Sequence, residues 1–218
     1  MTQDAATLDE LRRRLAPAIA DAAVFDGWSA QAVAQAAAAT GIDPELAAFA
    51  FRDGGMAMIT AWIDHVDWTM VGAVTPAALS NQPIRERIQR LVWARLEAVA
   101  GREEALIRAL TIMAMPQNLA ASTRLGWRSA DSMWRLAGDK ATDYNHYTKR
   151  AILGSIYAAT LHVFARDKSE DKAETRAFLD RRIQGIMRFE KAKSQLLRKP
   201  DERFSMTRLL GRMRYPAR

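Results

Sequence analysis

Apolar side chains recur at helical spacing along almost the whole chain, and the alternation of apolar and polar residues that is typical of strands is almost absent. Alanine is abundant, and the 218 residues include only 11 glycines and 7 prolines, which favours helix throughout. This length suits one domain, or one domain with a small subdomain. The sequence therefore predicts an all-α protein.

The first 53 residues predict three helices, the first of which ends at Asp26-Gly27. Ser29 has a side chain that can cap the start of the second helix. Gly41 predicts a tight turn at the end of that helix. Asp43 then caps the third helix, with Pro44 at its first position. Two short helices around a glycine turn are typical of a helix-turn-helix. Residues 1–53 thus resemble the N-terminal three-helix unit of the TetR family of repressors.

Residues 54–199 predict a larger bundle of longer helices, because apolar stripes are separated there by prolines and glycines. A linker is expected between Pro76 and Pro83. The predicted helices are one around Ile59 to Met70, one from Ile84 to near Gly101, one ending at Met115, one from Leu119 to Ala137, one from Asp143–Tyr147 to Phe164, and one from about Asp171 to Arg198.

The last segment carries most of the net charge of the chain. Residues 198–218 hold seven basic and two acidic residues, a net charge of +5 in a chain of net charge +7. Apolar residues at helical spacing lie opposite arginines, which favours an amphipathic helix over residues 200–218 that contacts an acidic membrane. Packing of the apolar stripe on the body is the alternative. The predicted membrane-contacting residues are Phe204, Met206, Arg208, Leu209, Leu210, Arg212 and Met213.

DNA binding is not expected, although a helix-turn-helix invites it. Residues 1–52 hold four arginines and seven acidic residues, a net charge of −3, whereas duplex affinity comes mainly from neutralising phosphates. The helix from Asp43 to Phe51 contains no Arg, Lys, Asn or Gln that could read a base edge.

Catalytic and metal-binding patterns are missing from the sequence, so we expect no enzyme activity, no cofactor and no metal. The chain has no cysteine, three histidines and none of the glycine-rich phosphate-binding motifs. Asp64-His65-Val66-Asp67 is the one acid–histidine cluster, and its side chains point around a helix, so we interpret it as a solvated face. Asp143 and His146 are spaced for a shared metal or proton, but no third ligand is evident.

Targeting signals are also not evident. The N-terminus is acidic, which suits neither a signal peptide nor a mitochondrial presequence, and no run of about 20 apolar residues could cross a bilayer. We expect a cytoplasmic protein that contacts the inner membrane of a bacterium peripherally.

A long polar and aromatic string in the second half of the chain is the most specific motif. Trp134 precedes Gly138-Asp139 by four residues, and Thr142-Asp143-Tyr144-Asn145-His146-Tyr147-Thr148-Lys149-Arg150 follows. With Phe25-Asp26-Gly27-Trp28, this string closely resembles the accessory family of coenzyme Q (ubiquinone) biosynthesis, the ninth Coq family, which is the lipid-binding partner of the demethoxyubiquinone hydroxylase.

The resemblance implies a TetR-like helical fold that has lost DNA binding. It implies a pocket for an isoprenoid quinone intermediate or a phospholipid, membrane contact through a C-terminal amphipathic helix, and a surface for the hydroxylase. By position, that surface includes Met133, Asp143, His146 and Tyr147. The chain has His146 where the family usually has tryptophan, which puts the same mode of partner binding in doubt.

Helices rich in Trp, Met and Ala could line the pocket, or they could simply fill a core, and the sequence does not separate the two. The candidate cavity-lining residues are Met113, Trp127, Ala130, Trp134, Ile152 and Ile156. Trp134 and Tyr147 would be partner anchors if exposed and core residues if buried.

These expectations combine into a non-enzymatic lipid-binding accessory protein of ubiquinone biosynthesis, expected to be a homodimer. It would take up a polyprenyl quinone intermediate at the membrane and present it to the hydroxylase. The alternatives are a TetR-type transcriptional regulator that responds to a ligand and a small enzyme that uses Asp143 and His146.

Overall fold

The computed structural model describes residues 7–139 and 144–197, and this part of the chain consists of helices and connecting turns. The all-α fold is therefore confirmed. The α-helices are α1 (Leu8–Asp26), α2 (Ala30–Thr40), α3 (Pro44–Ala50), α4 (Gly55–Ala73), α5 (Pro76–Leu79), α6 (Ile84–Val99), α7 (Glu103–Met113), α8 (Leu119–Leu136), α9 (Tyr144–Phe164) and α10 (Ala173–Leu197).

The predicted caps of the helix-turn-helix are confirmed. The Ser29 hydroxyl accepts a hydrogen bond from the Ala32 amide at 3.3 Å, at the start of α2. Gly41 ends α2 in the left-handed conformation, with φ of 67°, which suits a residue without a Cβ. The Asp43 carboxylate accepts from the first two free amides of α3, at 2.8 and 2.9 Å. These capping contacts define where α2 begins and ends and where α3 begins.

The segment between Pro76 and Pro83 differs from the expected linker, because it contains the single turn of α5. Thr75 caps this turn by accepting from the Ala78 amide at 3.3 Å, and Pro76 occupies the first helical position, where its missing amide costs nothing. Leu79 at the end of the turn is buried and joins the core. Pro76 therefore starts a short helix, and Pro83 directly precedes α6.

The described residues up to Asp180 lie in one compact unit, and residues from Arg181 lie in a second. In the first unit, α1 packs on α2 and α4, with Leu15 and Ile19 completely buried. Trp28 packs against Trp62 in a tilted arrangement with ring centroids 5.2 Å apart, and its indole donates to the Ala105 carbonyl at 3.0 Å. Packing thus continues from the N-terminal helices into α4 and α7. A separate domain over residues 1–53 stays a prediction.

The turn between α9 and α10 is organised by one buried carboxylate, that of Asp167. It accepts hydrogen bonds from the amide and hydroxyl of Ser169, at 2.8 and 2.5 Å, and from those of Thr175, at 2.8 and 2.6 Å. Burial alone would raise the pKa of Asp167, but these hydrogen bonds outweigh burial and hold its pKa far below the usual value. Asp167 therefore serves as the cap that starts α10.

Candidate ligand cavity

Helices α4, α6, α7, α8 and α9 surround a cavity of about 630 Å³. Its wall is mainly apolar, and each of the five helices contributes to it. Representative lining residues are Trp62, Val99, Met113, Trp127 and Leu161. The volume lies within the range of about 300 to 1,000 Å³ that is usual for small-molecule sites.

Small residues on α8 and α9 leave the space open. Gly126 lines the cavity, and a Cβ placed on it would meet no other atom within 4 Å. Gly154 on α9 faces α8 closely, because a Cβ there would lie 3.8 Å from the Gly126 carbonyl oxygen and 3.9 Å from the Ala130 Cβ. The two helices therefore approach each other at glycines, and at these two positions no side chain extends into the cavity.

The cavity reaches the protein surface near the start of α8. Leu119 belongs to the cavity wall and is 52% exposed, and Ala114, also in the wall, is exposed. Met115, between them in sequence, is exposed as well. An apolar rim of this kind suits the entry of an apolar ligand.

Two buried arginines also belong to the cavity wall, Arg95 on α6 and Arg150 on α9. Arg95 forms an ion pair with Asp67 of α4, and its Nη2 donates to the Ser129 hydroxyl of α8 at 3.0 Å. Its guanidinium carbon lies 4.8 Å from the ring centroid of Tyr157 on α9. Arg95 thereby ties four helices together at the cavity.

Arg150 joins α9 to the end of α8. Its Nε donates to the Asp131 carboxylate at 2.6 Å, and its Nη1 donates to the Asp139 carboxylate and the His146 carbonyl, both at 3.1 Å. Both carboxylates are largely shielded from solvent. The conspicuous Asp139 and Arg150 of the sequence motif therefore form a structural ion pair beside the cavity.

The six predicted cavity residues separate into two groups. Met113 and Trp127 line the cavity. The remaining four lie outside its wall, namely Ala130 and Ile156, which are buried, and Trp134 and Ile152, which are half-buried. The Trp134 indole donates to the Lys149 carbonyl at 3.0 Å, so it stabilises the α8–α9 contact. Lipid binding by any of the six stays a prediction.

Only part of the predicted partner surface is exposed in the described part of the chain. Tyr147 is 62% exposed, and its ring lies 5.1 Å from the half-buried His146 ring and 6.0 Å from that of Trp127. We call Trp127, His146 and Tyr147 the aromatic cluster. Met133 is completely buried, so a partner could not contact it directly without a local rearrangement. Asp143 lies outside the described residues.

The predicted membrane-contacting residues, Phe204 to Met213, also lie outside the described residues. Within the described part, no helix is both long enough and apolar enough to cross a bilayer. Nor does this part hold a group of three acidic or histidine side chains placed to bind a metal ion.

The acid–histidine cluster on α4 differs from the solvated face that the sequence suggests. Asp64 pairs with Arg128, and burial raises its pKa despite that arginine. Burial, with a contribution from Arg102, lowers the pKa of His65. Asp67 is only 17% exposed and pairs with Arg95. The interpretation as a solvated face is therefore wrong for Asp67.

Sequence reasoning missed the polar group formed by Asp67, Arg95 and Ser129, although one signal was available. Arg95 interrupts the apolar stripe of α6, whose other members are Ile88, Leu91, Val92, Leu96 and Val99. An arginine on a buried stripe requires a partner, because an unpaired charge is costly inside a protein.

Comparison with known families identifies the sequence motif. A model of the COQ9 family matches residues 119–190, which begin at α8 and include α9. The mitochondrial ubiquinone biosynthesis protein COQ9 of Rattus norvegicus is 30% identical over 191 residues, which cover 85% of this chain and 61% of the rat protein. The Homo sapiens protein of the same name is 30% identical, and the match covers 85% of this chain and 60% of the human protein. These matches confirm the resemblance to the COQ9 family.

The chain spans about three fifths of the length of these relatives. A further relative, from the fission yeast Schizosaccharomyces pombe, is also named a mitochondrial ubiquinone biosynthesis protein. It is 28% identical over 158 residues, which cover 72% of this chain and 62% of that protein.

The fold is also similar to that of a solved structure, a TetR transcriptional regulator from Nitrosomonas europaea ATCC 19718. The TM-score is 0.65, with 21% identity, and the match covers 81% of this chain and 98% of the regulator. The predicted TetR-like fold is confirmed.

Proposed function

We propose that this chain, as a relative of the COQ9 proteins, is a non-enzymatic lipid-binding accessory protein of ubiquinone biosynthesis. Its homologues support a role in that pathway. In the proposal, the chain takes a polyprenyl quinone intermediate from a membrane and presents it to the demethoxyubiquinone hydroxylase, and it works as a homodimer at the inner membrane of a bacterium.

The apolar cavity carries this proposal. A space of about 630 Å³ between five helices, with an exposed apolar rim at Leu119, suits a flexible hydrocarbon chain better than a polar metabolite. Moving such a chain from lipid into water costs about 0.8 kcal/mol per CH₂. A protein cavity that opens at the membrane surface would avoid that cost.

The aromatic cluster supports the second step, presentation to the hydroxylase. Trp127 belongs both to this cluster and to the cavity wall, so the cluster lies at the border between cavity and surface. Tyr147 offers an exposed aromatic side chain of the type that anchors protein interfaces. A partner that docks on Tyr147 would therefore lie near a bound ligand.

Lipid extraction and mass spectrometry of the purified protein test the first step. We expect an isoprenoid quinone or quinone precursor to co-purify in an amount comparable to the protein. An extract that contains no isoprenoid and no other lipid would contradict the proposed function.

A binding measurement between the purified chain and the hydroxylase tests the second step. We expect Tyr147→Ala to weaken the complex by about tenfold or more, as is usual for an aromatic anchor. Phe25→Ala is the matched control, because Phe25 is 83% exposed but belongs to neither the aromatic cluster nor the cavity wall. Equal weakening of the complex by both variants would show that the aromatic cluster is not part of the interface.

A TetR-type transcriptional regulator is the alternative, favoured by the fold. However, α3 exposes Leu46 and Phe49 rather than side chains that bind bases or phosphates. The Asp43 carboxylate occupies the amides at the start of α3, where a DNA phosphate would otherwise be attracted. These features disfavour DNA binding by α3.

A further inference from the structure

We propose that Arg95 is a polar anchor that selects the head group of the ligand. In this inference, the Nε of Arg95 donates a hydrogen bond to an uncharged oxygen acceptor, such as the carbonyl oxygen of a quinone ring. The inference rests on the proposed function, because it requires that the cavity bind an apolar chain.

The first observation is a buried donor without a partner on Arg95, a residue of the cavity wall. Arg95 is 1% exposed, and its two terminal nitrogens are engaged by Asp67 and Ser129. Its Nε is buried and has no acceptor within hydrogen-bond distance among the described residues. Buried donors are nearly always satisfied in folded proteins, so an orphaned donor on a cavity-lining residue suggests an acceptor supplied by a ligand.

The guanidinium is also held in one orientation. Asp67 fixes it from α4 and Ser129 from α8, while the ring of Tyr157 lies 4.8 Å from the guanidinium carbon. Because the guanidinium is planar and rigid, fixing its terminal nitrogens also fixes the direction of Nε. The anchor is therefore organised before a ligand arrives, which lowers the entropic cost of forming the hydrogen bond.

The charges around the cavity favour an uncharged head group. Arg95 and Arg150 are its charged lining residues within the described chain. Asp67 neutralises Arg95, and Asp131 and Asp139 surround Arg150. A phosphate in this apolar space would lose its hydration without finding an uncompensated positive charge. A quinone carbonyl needs only a donor, which Nε supplies.

The test compares three probes that share a ten-carbon chain and differ only at the head: decyl-benzoquinone, decylbenzene and decyl phosphate. Binding to the purified full chain is measured by calorimetry or by quenching of tryptophan fluorescence. We expect the wild-type protein to bind the quinone at least about tenfold more tightly than the hydrocarbon, as a charge-assisted hydrogen bond allows. Decyl phosphate should bind more weakly than the quinone.

Arg95→Lys is the decisive variant. Lysine keeps the positive charge that pairs with Asp67 but has no donor at the position of Nε. The preference for quinone over hydrocarbon should fall to within about twofold, while the affinity for decylbenzene stays the same. Arg87→Lys is the matched control on the same helix, because Arg87 lies outside the cavity wall and its Nε already donates to the Gln82 carbonyl at 2.7 Å.

Several results would overturn the inference. These are equal wild-type affinity for quinone and hydrocarbon, a preference that survives in Arg95→Lys, an equal loss in Arg87→Lys, or tighter binding of decyl phosphate than of quinone. If Arg95→Lys fails to fold, the three wild-type affinities alone decide. Failure of all three probes to bind would contradict the proposed function itself, whereas equal binding of quinone and hydrocarbon contradicts only the role of Arg95.

Discussion

At the scale of single residues, the buried pair of Asp67 and Arg95 is the most consequential feature of the cavity wall. The two side chains are 17% and 2% exposed and lie on different helices. A buried ion pair adds little net stability over an apolar pair, but loss of one partner leaves an uncompensated charge. The pair therefore constrains which substitutions the cavity wall tolerates.

We expect Asp67→Leu to lower the free energy of unfolding by about 3 to 5 kcal/mol, because it leaves the Arg95 charge buried and unpaired. The double variant Asp67→Leu with Arg95→Met should recover most of this loss. Urea unfolding of the wild type, both single variants and the double variant measures the coupling. Additive effects of the two substitutions would contradict the pairing.

The sequence predicted little of this arrangement, although it predicted most helices correctly. The caps at Ser29 and Asp43 were predictable because each acts on amides two or three residues away. The contact between Asp67 and Arg95 joins residues 28 positions apart, and no local pattern encodes it. For the same reason, sequence spacing did not distinguish Trp127, which lines the cavity, from Trp134, which packs against α9.

At the scale of elements, the beginning of α10 depends on Asp167. Because its pKa is lowered in the folded protein, Asp167 contributes stability above the ordinary pKa of aspartate, about 3.9, and this contribution is lost as the pH falls toward the folded value. The turn between α9 and α10 should therefore be sensitive to acid.

We expect Asp167→Asn to have a lower thermal midpoint than the wild type at pH 7. The difference between the two midpoints should become smaller as the pH falls below about 4. Midpoints measured between pH 7 and pH 3 by circular dichroism check this. Asp171→Asn is the control, since Asp171 is exposed and asparagine also tolerates its positive φ of 50°. A constant difference across this pH range for Asp167→Asn would refute the role of the ionised carboxylate.

The helix α3 should not act as a recognition helix. A gel shift with the DNA upstream of the coding region, at about 100 mM salt, should give no retarded band, because residues 1–52 carry a net charge of −3. A TetR-type regulator with its own operator serves as the positive control. A sequence-specific band that survives competitor DNA would favour the alternative function.

At the scale of the whole molecule, the proposed function assigns the apolar chain to the cavity and the membrane contact to a basic segment. Residues 198–218 carry a net charge of +5 out of +7 for the chain, and their membrane contact is a proposal from the sequence. The cavity, in contrast, belongs entirely to residues of the first compact unit. The two parts can therefore be tested separately.

Deletion of residues 200–218 should abolish most binding to vesicles that contain anionic phospholipid, because it removes the apolar stripe together with five arginines. Vesicle flotation measures this. The wild type should also release from vesicles as the salt concentration rises. Equal flotation of the full and shortened chains would show that residues 200–218 do not contribute to membrane binding.

A bulky side chain placed in the cavity should show whether the lipid binds there. Gly126→Trp places a large side chain into the open space beside α8, where a Cβ meets no other atom within 4 Å. Gly126→Ala leaves the cavity nearly unchanged, and Gly72→Trp adds the same bulk at an exposed glycine of α4 outside the cavity wall. The measurement is the molar ratio of co-purified lipid to folded protein by mass spectrometry. We predict near-complete loss of lipid in Gly126→Trp and wild-type ratios in the other two variants. Wild-type lipid content in a folded Gly126→Trp protein would contradict the account.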